Sequence, residues 1–448
     1  MDVEMLSRLQ FALTVGFHYL FPPLSIGLGL LLVIMEAAYI RTKNQIYEEI
    51  TKFWVKIFGL IFALGVATGI VMEFQFGTNW AMYSRFVGDI FGSALAAEGV
   101  FAFFLESGFL AILLFGWNRV KPTTHFMATV LVCFGAHFSA IWIVVANSWQ
   151  QTPAGYHLVQ HDGVMRAELT SFWQAVINPS FLDRIFHVYM GAWQAGAFLV
   201  LSVSAWYLLK GRHRQFAIKS IKIGLVVAVA ASLLQLVSGD ESGRTLATTQ
   251  PTKLAAMEGH FESEGPAALH MFGWVNEDEQ KVDVSVAIPG MLSFLVHGDF
   301  EAPIKGLNAF PKEDLPPVNV TFQAFHAMVA IGFALILIAL LGLFFWWRKT
   351  LFDKRWLLWI FVFSVLLPEA ANQLGWITAE VGRQPFIVYK LLRTAEAFSP
   401  NLTNGQVITS LVLFGLIYLL LFILFIFLLN EKIQHGFEEK AAEEGHRA

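Results

Sequence analysis

Nine stretches of this chain run for twenty or more residues almost without charge, and that pattern limits its fold more than anything else in it. They lie near 12–39, 53–77, 91–116, 124–148, 185–209, 216–238, 322–346, 356–380 and 407–429. A helix of about 20 apolar residues crosses the hydrocarbon of a bilayer. Inside lipid, only a helix or a closed barrel satisfies its own backbone. The expected fold is therefore all-α, a polytopic membrane protein with about nine transmembrane helices in bundles. Composition agrees: of 448 residues 56% are hydrophobic and 14% charged, where a soluble domain carries about 25% charged residues. One soluble core could not cover 43 Phe and 14 Trp.

The net charge of −4, with no dense basic tract, excludes nucleic acid as a partner. A single cysteine, Cys133, excludes a disulfide scaffold, Cys-based zinc sites and Cys-ligated iron–sulfur clusters. Any redox cofactor must then be held by His, Met or carboxylate. No cleavable signal is expected, because Asp2, Glu4 and Arg8 lead into an apolar stretch too long for a signal core.

An odd number of spans places the termini on opposite sides. One set of loops holds sixteen Lys and Arg, among them Arg41, Lys43, Arg212, Arg214, Arg348, Lys349 and Lys432, against seven in the short segments of the other side. The positive-inside rule puts the carboxyl terminus in the cytoplasm and the amino terminus outside. The chain divides into spans one to six (1–238), an extracytoplasmic loop (239–321), spans seven to nine (322–430) and a cytoplasmic tail (431–448). A loop that long in a compact membrane protein is usually functional or disordered. No internal repeat is visible, which weakens an inverted-repeat transporter reading.

Ionisable groups at membrane depth cost several kcal/mol each unless they face a cavity, a partner or a metal. They are His18, Glu73, Glu98, Glu106, His137, His187, His326, Glu369 and Glu380. Any one of them could be polar glue between helices. So many, with almost no intramembrane Lys or Arg, suit a metal or haem iron better. In span eight Glu369, Gln373, Trp376, Glu380 and Arg383 fall on one helical face, an acid, a ring and a cation able to bind a propionate. The competing reading is a weak Glu380–Arg383 surface pair. In span three Glu98 and Glu106 share a broad face with Ser107 beside one of them, which suits a proton relay or simple helix–helix hydrogen bonding. His187 and Met328 open spans five and seven and could share one iron as a His/Met pair, although a Met in an apolar span is more often packing.

The chain also carries longer motifs: Leu6–Ala12, Gly77–Trp80, Arg85–Phe91, Gly239–Gly243, Thr252–Glu258 and Gly375–Pro385. Over essentially its whole length the chain resembles subunit I of the cytochrome bd quinol oxidases. The resemblance implies that His187 and Met328 ligate a low-spin haem b. His18 and Glu380 look like axial ligands of a high-spin pair, with His18 on haem d (or a third haem b) and Glu380 on the high-spin haem b. Glu98 is similar to the acid that faces haem d. Glu106, Ser107 and Ser139 resemble parts of a proton route, and Trp376 an aromatic between haems. The outer loop resembles a quinol-binding loop of the short type, with Lys253 and Glu258 as its quinol pair. Read from the loop's composition alone, those two are a solvated charge pair. His326 stands where the family commonly carries Arg.

By the same resemblance, the protein oxidises quinol near the outer face and reduces O2 to water. Electrons pass from the low-spin haem to the high-spin pair, and protons are drawn from the cytoplasm without a pump. The implied partners are a haem-free membrane subunit II and a small single-helix subunit. Two rivals from other classes are a haem protein that passes electrons on without binding oxygen, and a proton-coupled carrier.

Overall fold

The computed structural model describes residues 2–436 apart from 162 and 264, so residues 437–448 of the expected tail lie outside the described residues. Among the described residues, nine helical segments are long and apolar enough to cross a membrane, as expected. The protein is an all-helical, multi-pass membrane protein.

The first span is α1 (Val3–His18) and α2 (Pro22–Thr42), broken where Pro22 and Pro23 lack amide hydrogens and open a new helix. His18 is thereby the last residue of α1. The second span is α3 (Gln45–Thr78), capped by the Asn44 side chain on the Ile46 amide at 3.1 Å. The third joins α4 (Ala81–Ala97) to α5 (Phe104–Phe115) through a π-turn, Glu98–Phe103. Such turns gather at functional sites, and this one begins on Glu98. It also changes the phase between Glu98 and Glu106 that a regular helix would give.

After α6 (Pro122–Gln151) and the short α7 (Phe172–Val176) come α8 (Phe181–Leu209) and α9 (Arg214–Thr249). The expected sixth span ended at Ser238, but α9 continues through the polar residues to Thr249. α10 (Pro251–Glu258) follows at once and ends on Gly259, whose φ of +61° only glycine adopts without strain. The loop also contains α11 (Met291–His297). α12 (Val318–Trp347) is span seven. Span eight is α13 (Arg355–Ser364) plus α14 (Leu366–Val381), interrupted because Pro368 cannot donate to the carbonyl of Ser364. α15 (Asn404–His435) is the ninth.

Four two-stranded antiparallel ribbons fill the connections after spans four, six and eight, which therefore share one face of the bundle. They pair β1 (Tyr156–His161) with β2 (Val164–Leu169), β3 (Leu269–His270) with β6 (Ala287–Ile288), β4 (Trp274–Asn276) with β5 (Lys281–Asp283), and β7 (Phe386–Val388) with β8 (Leu392–Arg393).

The largest core cluster joins α2, α3, α8, α9, α12 and α13 around Trp54, Phe58, Phe198, Phe216 and Phe361. At the α2–α8 crossing Gly27 meets Gly196, where an added Cβ would come within 2.3 Å of the opposing backbone or closer. Small residues let membrane helices approach to this distance. A second cluster, Ala255, Ala256, Phe261, Val275, Leu307, Val318 and Phe322, fixes α10 against the start of α12. By contrast α15 shows a long exposed row that includes Val412, Leu416, Leu420 and Phe427.

Candidate active site

Glu380, near the end of α14, accepts from Asn147 Nδ2 at 2.8 Å and Gln151 Nε2 at 3.2 Å, both on α6. Its other oxygen pairs with Arg383. This is not a surface pair, because Arg383 is only 4% exposed and also donates to Gln150 Oε1 and the Phe386 carbonyl. Glu380 keeps 30% of its side chain accessible deep inside the bundle, so it fronts open space.

The loop pair is not solvated either, and this corrects the reading from composition. Lys253 and Glu258 are 2% and 4% exposed on α10. Lys253 Nζ donates to Gln151 Oε1 at 2.5 Å, and Gln151 in turn bonds Glu380. A hydrogen-bonded chain thus joins α10 to the carboxylate of α14. Burial, with Arg184 and Arg383 nearby, holds the Lys253 ammonium well below its ordinary pKa, partly offset by Glu380. Burial raises the Glu258 carboxyl to about 8. Glu258 Oε2 has no partner among the described residues. Arg184, on α8, lies within electrostatic reach of Glu380 and Arg383. Three cations, Arg184, Lys253 and Arg383, therefore surround one carboxylate. An unbalanced buried charge is costly, and this one suits a group that brings its own carboxylates, such as haem propionates.

His18 closes α1 against α3, its Nδ1 at 2.9 Å from Thr68 Oγ1. Close by, Tyr19 packs edge-on against Trp376 at 5.3 Å, and Gln373 Nε2 donates to the Gly16 carbonyl at 2.9 Å. The α14 face predicted from spacing therefore borders His18. Glu369, on the same helix, has both oxygens buried without partners.

His187, on α8, reaches α9, with Nδ1 at 2.9 Å from Ser238 Oγ and Nε2 at 2.8 Å from Gln235 Nε2. One turn on, an added Cβ at Gly191 would lie 2.7 Å from Asn372 Oδ1 and 4.0 Å from Gln235 Nε2. One turn along α14, an added Cβ at Gly375 would lie 3.2 Å from Met328 Sδ. His187 and Met328 thus border the same stretch of α14 from two sides, past glycines that leave room there. Gln235 Oε1 and Asn372 Nδ2 are buried without partners beside it. Among the described residues no three His, Cys, Asp or Glu gather to hold a bare metal ion. A haem asks the protein for only one or two axial ligands, and isolated His, Met and Glu side chains beside buried polar atoms without partners among the described residues fit that demand.

The remaining residues form an acidic group between α3, α5 and α6. Ser139 Oγ donates to Glu98 Oε1 at 2.8 Å. Glu106 is 6% exposed and packs on Gly135. Glu106 and the exposed Glu73 both lie within electrostatic reach of Glu98. Ser107 Oγ donates to its own Phe103 carbonyl at 2.7 Å, not to a carboxylate.

Two histidines singled out by depth are satisfied elsewhere. His137 uses Nδ1 on the Cys133 carbonyl and Nε2 on Trp193 Nε1, at 2.8 and 2.9 Å. His326 stacks on Phe322 and faces the carbonyls of Phe322 and His270. Sequence reasoning passed over a buried pair, Glu36 Oε1 with His125 Nδ1 at 2.7 Å, joined by Thr129. The signal was an acid and a basic residue inside apolar runs. It also treated Arg184 as a mere loop charge.

Comparison with known proteins gives this arrangement a lineage. The family described as cytochrome bd terminal oxidase subunit I matches residues 6–437. Cytochrome bd ubiquinol oxidase subunit 1 of Bacillus subtilis is 40% identical over 98% of this chain and 95% of its own. Cytochrome bd-II ubiquinol oxidase subunit 1 of Escherichia coli is 37% identical over 97% of each. The structure of bd oxidase from Geobacillus thermodenitrificans superposes with a TM-score of 0.89 at 31% identity, covering 97% of this chain and 99% of that one. The chain therefore belongs to the cytochrome bd terminal oxidase subunit I family.

Proposed function

We propose that this subunit oxidises quinol at α10 on the outer side of the cell membrane and supports reduction of O2 to water in the bundle below. The observation that carries the reading is the chain Lys253–Gln151–Glu380, which links a buried acid/base pair to a membrane-depth carboxylate. Lys253 would hydrogen-bond one quinol oxygen. Glu258, with an unpartnered oxygen and a pKa of about 8, would take the proton and pass it outward. His187 with Met328 would hold a low-spin haem b, Glu380 a high-spin haem b, and His18 a haem d or a third haem b. When bound, these groups supply electron transfer and oxygen chemistry. Arg184 and Arg383 would neutralise propionates. Glu106 and Glu98, with Ser107 and Ser139, would carry protons inward from the cytoplasm, separating charge without a pump. The relatives are named subunit 1, so a second membrane subunit is the expected partner, with a small single-helix subunit beside it.

The test separates donor from acceptor chemistry. Lys253→Ala and Glu258→Ala should lower quinol-driven turnover by roughly 10²-fold, the scale of a lost positioned acid or base. Haem bands and oxygen consumption with a small artificial reductant should persist. Equal loss with both donors would remove the quinol site from α10.

A further inference from the structure

Among the described residues the spanning helices carry six histidines, and those other than His435 at the end of α15 divide by what Nδ1 meets. His125, His137 and His326 have both nitrogens occupied: His125 by Glu36 and the Leu113 carbonyl, the other two as described above. His18 and His187 differ at Nδ1, although Nε2 of His187 also has a partner, the Gln235 amide. Each places Nδ1 at 2.9 Å from a hydroxyl on a neighbouring helix, Thr68 Oγ1 or Ser238 Oγ. Each hydroxyl is also within reach of a carbonyl about one turn back in its own helix, Leu64 at 2.8 Å or Gln235 at 3.0 Å. A hydroxyl has one hydrogen. With that hydrogen given to the carbonyl, the oxygen can only accept, so the ring must carry its proton on Nδ1. The lone pair is then on Nε2. For His187 this agrees with the Gln235 amide, which donates to Nε2 at 2.8 Å.

The repetition extends to the next residue. Thr68 is followed by Gly69 and Ser238 by Gly239. An added Cβ at Gly69 would stand 3.2 Å from His18 Cε1, and one at Gly239 3.9 Å from His187 Cε1. The hydroxyl holds one edge of the ring; at Gly69 the missing side chain also leaves room for the ring, whereas a Cβ at Gly239 would make only ordinary van der Waals contact. Around these dipeptides α3 and α9 share only a leucine four residues before the hydroxyl, Leu64 and Leu234, so the likeness lies chiefly in the geometry.

We propose that Thr68-Gly69 and Ser238-Gly239 are matching histidine cradles, in which the hydroxyl is a positioning residue that fixes the Nδ1–H tautomer and presents Nε2 to haem iron. The proposal rests on the ligand roles of His18 and His187 given above. A ligating imidazole whose other N–H is donated becomes a stronger base, which favours the ferric iron and holds the reduction potential down. It also predicts that the Gln235 amide moves off Nε2 when the haem is in place.

The experiment is a spectroelectrochemical titration of the purified oxidase complex. Ser238→Ala should keep the low-spin haem and favour its reduction by about tenfold, which is 59 mV for one electron. Ser238→Thr should restore the original potential. Thr68→Val, equal in volume to the native residue, should raise the potential of the high-spin haem held by His18 and lower its ferrous iron–histidine stretching frequency, and Thr68→Ser should restore both. Ser232→Ala breaks a comparable buried bond, Gln194 Nε2 to Ser232 Oγ at 3.0 Å on the same helix, and should move no potential. If Ser238→Ala fails to assemble, Ser238→Thr against Ser238→Val poses the same question at equal volume. Unchanged potentials in the Ser238 and Thr68 variants, or an equal shift in Ser232→Ala, would overturn the cradle. His187→Ala tests the ligand role separately: a retained low-spin spectrum there removes the ligand assignment, whereas loss of that spectrum with unmoved potentials in the hydroxyl variants removes only the cradle.

Discussion

Two polar regions inside this bundle have opposite charge balance. At the carboxyl-terminal end of α14, Arg184, Lys253 and Arg383 surround a single carboxylate, Glu380. Between α3, α5 and α6, Glu73, Glu98 and Glu106 influence one another, and Glu98 is met by a serine hydroxyl instead of a cation. Low-dielectric surroundings make both imbalances costly unless something absent from the chain answers them. A cation-rich pocket is answered by an anionic group that stays. A carboxylate cluster is answered by protons, which come and go. The difference assigns residence to one region and traffic to the other, and each prediction below is a way to break that division.

The largest expected effect is loss of a resident group. His187→Ala or Met328→Leu should abolish the low-spin haem absorbance and leave high-spin features, because a low-spin iron needs both strong axial ligands. Glu380→Ala should disturb a high-spin haem and suppress oxygen reduction even with an artificial donor. A normal spectrum and turnover in all three would show that the cation-rich region holds nothing, and Glu380 would return to being the partner of Arg383. Next comes traffic. Glu98→Gln and Glu106→Gln should keep every haem band yet slow oxygen reduction roughly 10²- to 10⁴-fold with either donor, the range for a lost proton-transfer group. Haem loss in these variants would make the acidic region a second resident site.

How much of this was legible beforehand depends on the kind of signal. The nine spans were, because twenty apolar residues have one physical reading in lipid. The Glu369–Glu380 face was too, since helical period alone sets it. The breaks at Pro22 and Pro368 leave local marks, yet the π-turn at Glu98 leaves none, for no residue type demands one. Burial of Lys253 and Glu258 was invisible, because α10 is covered by distant partners such as Val318 and Phe322 and by Gln151 of α6. Thr68 and Ser238 were unreadable for a different reason: a hydroxyl in an apolar helix usually serves its own carbonyl, and only the neighbouring ring shows that these do more. His137 misled in the opposite sense, because depth alone does not reveal that Trp193 completes its bonding.

The smallest effect sharpens the boundary between the two regions through pH. Glu258 belongs to neither imbalance: it sits buried on α10, its carboxyl raised to about 8 by desolvation. Burial favours the protonated acid, so the carboxylate that can accept a quinol proton forms only as pH rises through that value. With one controlling group, quinol-driven turnover should rise about tenfold from pH 7 to pH 9, following the deprotonated fraction. Lys253→Ala separates any contribution of the lysine, whose pKa burial holds below its ordinary value, from that of Glu258. Turnover driven by an artificial reductant bypasses Glu258 and should be flat over the same interval, and Glu258→Gln should flatten the quinol profile at a lower rate. A rise shared by both donors would place the controlling proton among Glu98 and Glu106, and a fall with pH would mean that Glu258 acts as an acid instead of a base.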